Sequence, residues 1–234
     1  MSLYAIGDLH LSFSVNKPMS VFGPVWHNHP EKLQSGFSSL TPDDTCILCG
    51  DLSWGMNLEE SVADFAFIHS LPGKKIILKG NHDYWWTTAS KLNSFFSCNN
   101  FTSLSLLHNN FIPYGDDYAI CGTRGWFYEE ETGSPHDKKL LDREVLRLQT
   151  SLSAAGDRKK IVFLHYPPIT KTYHCEEILS LLRAYNVRLC CYGHLHAKSC
   201  VSAFNGWHDS TLFRLVSADY LNFTPLNLDS FLYS

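Results

Sequence analysis

Five times in this chain a short run of mostly apolar residues stops at a small polar cluster. Leu3 to Ile6 precede Gly7-Asp8-Leu9-His10, Thr45 to Cys49 precede Gly50-Asp51, and Lys75 to Leu78 lead to Gly80-Asn81-His82-Asp83. Ile161 to Leu164 precede His165, and Val187 to Tyr192 precede Gly193-His194-Leu195-His196. Runs of this length read as strands buried on both faces, and polar groups that recur at their C-terminal ends collect at one edge of a sheet. Five such clusters would be an unusual waste of buried polarity if they were unrelated.

Helical patterns lie between the strands. Leu58, Val62, Phe65, Ala66 and His69 keep a 3.6-residue stripe, as do Leu141, Val145, Leu148 and Leu152, and Ile178, Leu179 and Leu182 mark a shorter helix. Ser134-Pro135 with Asp137 three residues after the serine predicts a capped start for the second. Strands alternating with helices make the chain α/β. Beyond residue 196, Lys198 to Phe204 and Thr211 to Ser217 predict two strands around Asn205-Gly206-Trp207-His208, hence a second, more antiparallel sheet. Residues 11 to 44 and 123 to 137 fit no regular element and are expected to be binding loops or lids, or loops packed on the body through their aromatics. The Glu129-Glu130-Glu131 run within the second reads as a solvated face.

With 234 residues and 44% hydrophobic content the chain can bury a substantial core, and its length suits one domain spanning 1–234. A net charge of -4 and no basic tract argue against a nucleic-acid partner. No long apolar run predicts a membrane span, no export leader is evident, and no partner protein is implied, so the expected location is the cytoplasm. The eight cysteines fall mostly in apolar segments and are expected to be reduced, buried thiols. Cys46-Ile-Leu-Cys49 lacks the second pair that a zinc site of that spacing needs.

The clusters carry the chemistry jointly. Asp8 and His10, two apart, share a direction in extended backbone; alone, such a pair is common on surfaces. Asp51 has two oxygens and can bridge two cations, although an Asx turn or a cap for the helix starting near Asn57 would also explain it. Asn81 offers a neutral oxygen, His82 can face a leaving group, and Asp83 can accept from the other ring nitrogen of His82 and hold its tautomer. His165 ends an apolar run, where a lone histidine is more often a core or turn residue than a ligand, while Gly193-His194-Leu195-His196 places two imidazoles after the next strand; as ligands, histidines favour Mn, Fe or Zn over an oxygen-only Mg site. Carboxylates, an amide and imidazoles in this number suit two cations held close together, a pair able to attack a phosphate ester.

In these motifs, in order over residues 3 to about 218, the chain resembles the calcineurin-like metallophosphoesterases. The resemblance implies a four-layer α-β-β-α sandwich with two mixed β-sheets and two divalent or trivalent ions at the sheet edge, manganese or an iron–manganese pair, with zinc the alternative. It implies that Asp8, His10 and His196 hold the first metal, that Asn81, His165 and His194 hold the second, and that Asp51 bridges them. His82 becomes the proton donor or phosphate contact, oriented by Asp83. Asp83 stands where the family's protein phosphatases carry Glu, and Leu52-Ser53-Trp54 does not supply the tyrosine of purple acid phosphatases. The expected substrate is a small phosphorylated molecule, monoester or diester, with Arg124 able to bind a second phosphate or a carboxylate, or to pair with a nearby glutamate. Tryptophans 26, 54, 85, 86 and 126 line a pocket or, more of them, fill the core. A metal-holding module without turnover and a metal hydrolase of non-phosphate substrates are the competing classes.

Overall fold

The computed structural model describes residues 1–127 and 134–232. The Glu129-Glu130-Glu131 run lies outside the described residues. Strands β1 (Leu3–Ile6), β2 (Thr45–Leu48), β3 (Lys74–Ile77) and β4 (Leu104–Leu106) run parallel in one sheet. In the other, β5 (Ile112–Tyr114), β6 (Tyr118–Thr123), β7 (Lys159–Leu164) and β8 (Leu189–Tyr192) are followed by β9 (Gly206–His208) and β10 (Thr211–Leu215), in the order β5-β6-β7-β8-β10-β9. The short β11 (Leu226–Asn227) returns antiparallel to β1, so both sheets are mixed.

Side-chain alternation along the buried strands sorts the core into three layers. Leu3, Ala5, Ile47, Ile76, Ile161, Phe163, Leu189 and Cys191 meet between the sheets. Their neighbours in β1 to β3, among them Ile6, Cys46, Leu48 and Ile77, face outward onto Leu33 and Phe37 of α1 (His29–Phe37), Phe65 of α2 (Leu58–Ser70) and Phe96 of α3 (Ala89–Cys98). On the far side, Cys121, Val162, Leu164 and Cys190 pack under α4 (Pro135–Ala154) and α5 (Glu176–Ala184). The result is the four-layer α-β-β-α sandwich.

The caps follow the sequence closely. Asn57 accepts from the Glu60 N–H at the start of α2, and Ser134 and Asp137 form a complete capping box with Pro135 at the first helical position of α4. At the other end of α2, Lys75 is fully buried and its Nζ donates to the carbonyls of Leu71 (2.5 Å), Gly73 (2.7 Å) and His69 (3.4 Å). These are orphan acceptors of a helix end and its loop, met by one cation. Lys75→Met should keep the packing volume and lose about 3 kcal/mol of stability, because buried carbonyls are left without a donor; urea denaturation measures it, and an unchanged midpoint would contradict the capping role.

Three expectations need correction. Residues 11 to 44 are not structureless: they hold two short 3₁₀ turns and α1, which buries His29, Leu33 and Phe37. Their four-residue spacing is helical, but Pro30 and Gly36 masked it. In the tail, 197–202 is a 3₁₀ helix, the hairpin strands are β9 and β10, and the turn falls at Asp209, whose φ is 50°. Nor do they make a separate antiparallel sheet, since β10 pairs parallel with β8 and extends its sheet. Cys46 and Cys49 are buried, free thiols, as are four of the other six cysteines. Among the described residues no helix is long and apolar enough to cross a membrane.

Candidate metal centre

The strand ends of both sheets converge on one place, and the backbone turns sharply to get there. Asp8, His10, Asp51 and His194 have φ of 61°, 47°, 54° and 73°, a left-handed conformation that residues with a Cβ adopt where surrounding structure holds them. Two glycines keep the approach open. A Cβ at Gly80 would lie 2.1 Å from Asp51 Oδ1, and one at Gly193 would lie 2.5 Å from Asp8 Oδ2.

The ligand atoms of Asp8, His10 and His196 lie within 4.8 Å of one another, as do those of Asp8, Asp51 and His165. His10 Nε2 faces His196 Nε2 at 3.1 Å, and Asp8 Oδ1 sits 3.3 Å from the same His196 nitrogen. Opposite them, Asn81 Oδ1 is 2.6 Å from His165 Nε2 and 3.0 Å from His194 Nδ1. Asp51 Oδ2 stands between the two groups, 3.8 Å from His10 Nε2 and 3.6 Å from His165 Nε2.

Protons are too few for this set. His165 Nδ1 donates to the Cys49 carbonyl at 2.9 Å, so its Nε2 turns a lone pair toward the Asn81 oxygen, acceptor against acceptor. Burial pulls His10, His165 and His194 below the ordinary imidazole range, the last to about 3, leaving them in the neutral form that ligates metals. For Asp8, burial is outweighed by His196 and the other imidazoles, and its carboxyl is held low. Asp51 goes the other way: burial, then the Asp8 charge, push it up to about 8. Burial opposes a charge on His196 too, yet Asp8 and Asp219 raise it to about 10. Two buried carboxylates, neutral imidazoles and an amide oxygen set acceptor against acceptor with His165 fit a pair of cations, which would take the place of the protons held on Asp51 and His196.

The family model for calcineurin-like phosphoesterases matches residues 1–198, a span that takes in Asp8, His10, Asp51, Asn81, His165, His194 and His196. The chain belongs to that family. No curated protein matches it. Among solved structures it is similar to the phosphopantetheinyl hydrolase PptH from Mycobacterium tuberculosis, at 17% identity and a TM-score of 0.57 over 92% of this chain and 88% of that one. It is also similar to AQ665, a protein of unknown function from Aquifex aeolicus, at 16% identity and a TM-score of 0.46 over 98% and 96%.

Around the centre of this calcineurin-like phosphoesterase, one sequence expectation meets a different geometry. Asp83 does not touch the His82 ring. It is buried and accepts from the N–H groups of Gly80 (2.7 Å), Asp51 (2.9 Å) and Leu52 (2.9 Å) and from Trp85 Nε1 (3.0 Å). It therefore ties the Asp51 loop to the Asn81 loop, and its four donors leave it none for His82. The His82 Nδ1 lies 3.4 Å from Tyr84 Oη instead, while the His82 N–H donates to Asp51 Oδ1 at 2.8 Å. Arg124 is set apart from the ligand cluster: its carbonyl accepts from the His165 and Tyr166 N–H groups, and its guanidinium lies 3.7 Å from buried Glu144.

Asp219 escaped sequence reasoning. Its Oδ1 lies 3.1 Å from His196 Nδ1 and its Oδ2 accepts from the Ala197 N–H at 2.8 Å, which orients the ring so that Nε2 points at Asp8. The signal was present, since Ser217-Ala218-Asp219 follows apolar β10 as the other clusters follow their strands. Trp26, Trp54 and Trp85 are buried, and the first two still serve the centre by packing on its ligands: Trp54 stacks on His10 with centroids 4.9 Å apart, and Trp26 meets His10 and His196 edge-on.

Proposed function

We propose that this protein hydrolyses phosphate esters of small molecules at a dinuclear metal centre. The observation that carries the reading is the position of Asp51 Oδ2, one carboxylate oxygen within 3.8 Å of imidazole nitrogens from both groups. Asp8, His10 and His196 would hold one ion and Asn81, His165 and His194 the other, with Asp51 shared between them. Manganese or an iron–manganese pair suits these ligands, and zinc is the alternative. When bound, two such ions supply Lewis acidity toward the phosphate oxygens and make a water molecule easier to deprotonate.

The chain's own residues do the rest. Asp219 and the Cys49 carbonyl fix the tautomers of His196 and His165, so that each presents Nε2 inward. Asp83 keeps the Asp51 and Asn81 loops in register. His82 is half-buried, and burial followed by the neighbouring His165 lowers its value to about 4, so at neutral pH it acts as a neutral imidazole that donates one N–H to the departing oxygen. Stacking on Trp54, centroids 4.7 Å apart, limits the ring's travel.

A manganese-supplemented panel of phosphomonoesters, phosphodiesters, cyclic nucleotides and nucleotide conjugates tests this reading. A phosphopantetheine conjugate belongs in it, given the name of one protein of similar fold. Turnover that disappears with chelator and returns with metal is the expected result. Full metal occupancy with no ester cleaved would favour a metal-holding module, and cleavage of amides or lactones alone would point to a different hydrolase.

A further inference from the structure

Beside the candidate centre lies a cavity of about 360 Å³ for which the reaction above has no use. Two of its walls belong to the segments that deliver the Asn81 and His165 ligands. Lys79 directly precedes Gly80-Asn81, and Arg124 holds the backbone of His165 and Tyr166 through its carbonyl.

Charge is unevenly distributed there. Lys79, Arg124 and Arg147 line the cavity, and among the described residues Glu144 is its one carboxylate. Glu144 is fully buried and already engaged, accepting from Thr123 Oγ1 at 2.5 Å and from Arg147 Nη1 at 2.7 Å. Arg124 is left with capacity to spare: it lies over the Trp126 ring at 4.9 Å, 3.7 Å from Glu144, and its buried Nε has no hydrogen-bond partner among the described residues. Thr87 and Thr88 bring the N-terminal end of α3 to the wall, where the helix dipole favours an anion. The rings of Trp86 and His108, centroids 5.7 Å apart and tilted 58° to each other, form another wall.

We propose that this cavity is a second anion subsite, which holds a phosphate group of the substrate other than the one that is cleaved. The inference rests on the phosphate-ester reading and narrows it to substrates with two phosphates. Cations from three segments and a helix end approach from different sides, which suits a tetrahedral oxyanion better than the two oxygens of a carboxylate. The volume leaves room for the atoms that link the two phosphates.

Binding and turnover test it separately. In chelator-treated protein, where the metal centre has lost its anion affinity, calorimetry with inorganic phosphate should detect a site that Lys79→Met and Arg147→Met each weaken about tenfold or more. Arg143→Ala, which removes a cation 3.9 Å from Glu144 but outside the cavity, should leave it unchanged. Arg147→Lys should recover part of the loss, which a merely folded scaffold would not require. In the manganese-loaded enzyme, the ratio of kcat/KM for adenosine 3′,5′-bisphosphate to that for AMP should fall by a similar factor in the two methionine variants. No phosphate binding in the wild-type protein, or binding and ratio alike indifferent to both substitutions, overturns the subsite. Failure of the phosphate-ester reading looks different: phosphate still binds and responds to the variants, while no ester is cleaved.

Discussion

Asp51→Asn is expected to abolish most metal binding and to lower ester turnover by at least about 10²–10³-fold, the range that follows removal of one preorganised electrostatic element. The substitution is close to isosteric, and asparagine keeps an oxygen that can accept the His82 N–H now held by Asp51 Oδ1. What it removes is the charge, and the second oxygen that faces His10 and His165 together. An amide offers one neutral oxygen and cannot offset the repulsion of two cations. Elemental analysis beside turnover measures the effect, and a variant with both metals and full turnover would remove Asp51 from the shared position.

Stability supplies an internal control, because the same substitution acts in the opposite direction once metal is gone. Asp51 is raised to about 8 by burial and by Asp8, whereas its unfolded value is 3.8. Between those values the folded chain holds a proton that the unfolded chain has released, so this group's contribution to stability falls as pH rises from about 4 to 8. Asparagine does not titrate. Melts in chelator should therefore show the variant gaining on the wild type from pH 5 to pH 8, which separates lost metal from lost fold. If the difference between the two instead stays constant from pH 5 to pH 8, Asp51 is ionised in the folded metal-free protein and the burial argument fails.

Much of this is legible in the sequence, and the reason is local. The five clusters follow strands whose apolar runs are continuous, because both faces of each strand are covered, and a run of that kind is easy to see. The capping box at Ser134 is a three-residue signal and was equally plain. What stayed hidden depended on partners distant in sequence. Nothing in the order Asn81-His82-Asp83 reveals that Asp83 will be taken by the N–H groups of Gly80, Asp51 and Leu52, since that follows from how two loops of different strands meet. Asp219 was overlooked because β10 was expected to belong to a separate antiparallel hairpin. Once β10 pairs parallel with β8, its C-terminal end comes to the same edge as His194 and His196. The helix at His29–Phe37 was missed through its proline and glycine, residues whose usual meaning is a loop and which here occupy its first turn and its end.

His82→Ala should retain its metals and lose about 10²–10⁴-fold in kcat, the span typical of a positioned proton donor. The size of the loss should depend on the leaving group, and this dependence is the informative part. With 4-nitrophenolate, which departs readily unprotonated, little help is needed, so the deficit should be small; with an alkyl phosphate the departing alkoxide needs a donor, and the deficit should be near the upper end. The low value of His82, about 4, means that the ring reaches neutral pH without its second proton, so the wild type should act chiefly as a hydrogen-bond donor. His82→Gln, which restores a neutral N–H at similar reach, should then recover part of the activity toward alkyl esters. Among the described residues the His82 ring has no hydrogen-bonded carboxylate; it meets Tyr84 Oη at 3.4 Å and the rings of Trp54 and His10, so Tyr84→Phe should change turnover far less than His82→Ala. Equal losses across all leaving groups would mean that His82 binds the phosphate rather than serving the departing oxygen, and no loss with any of them would remove it from the reaction.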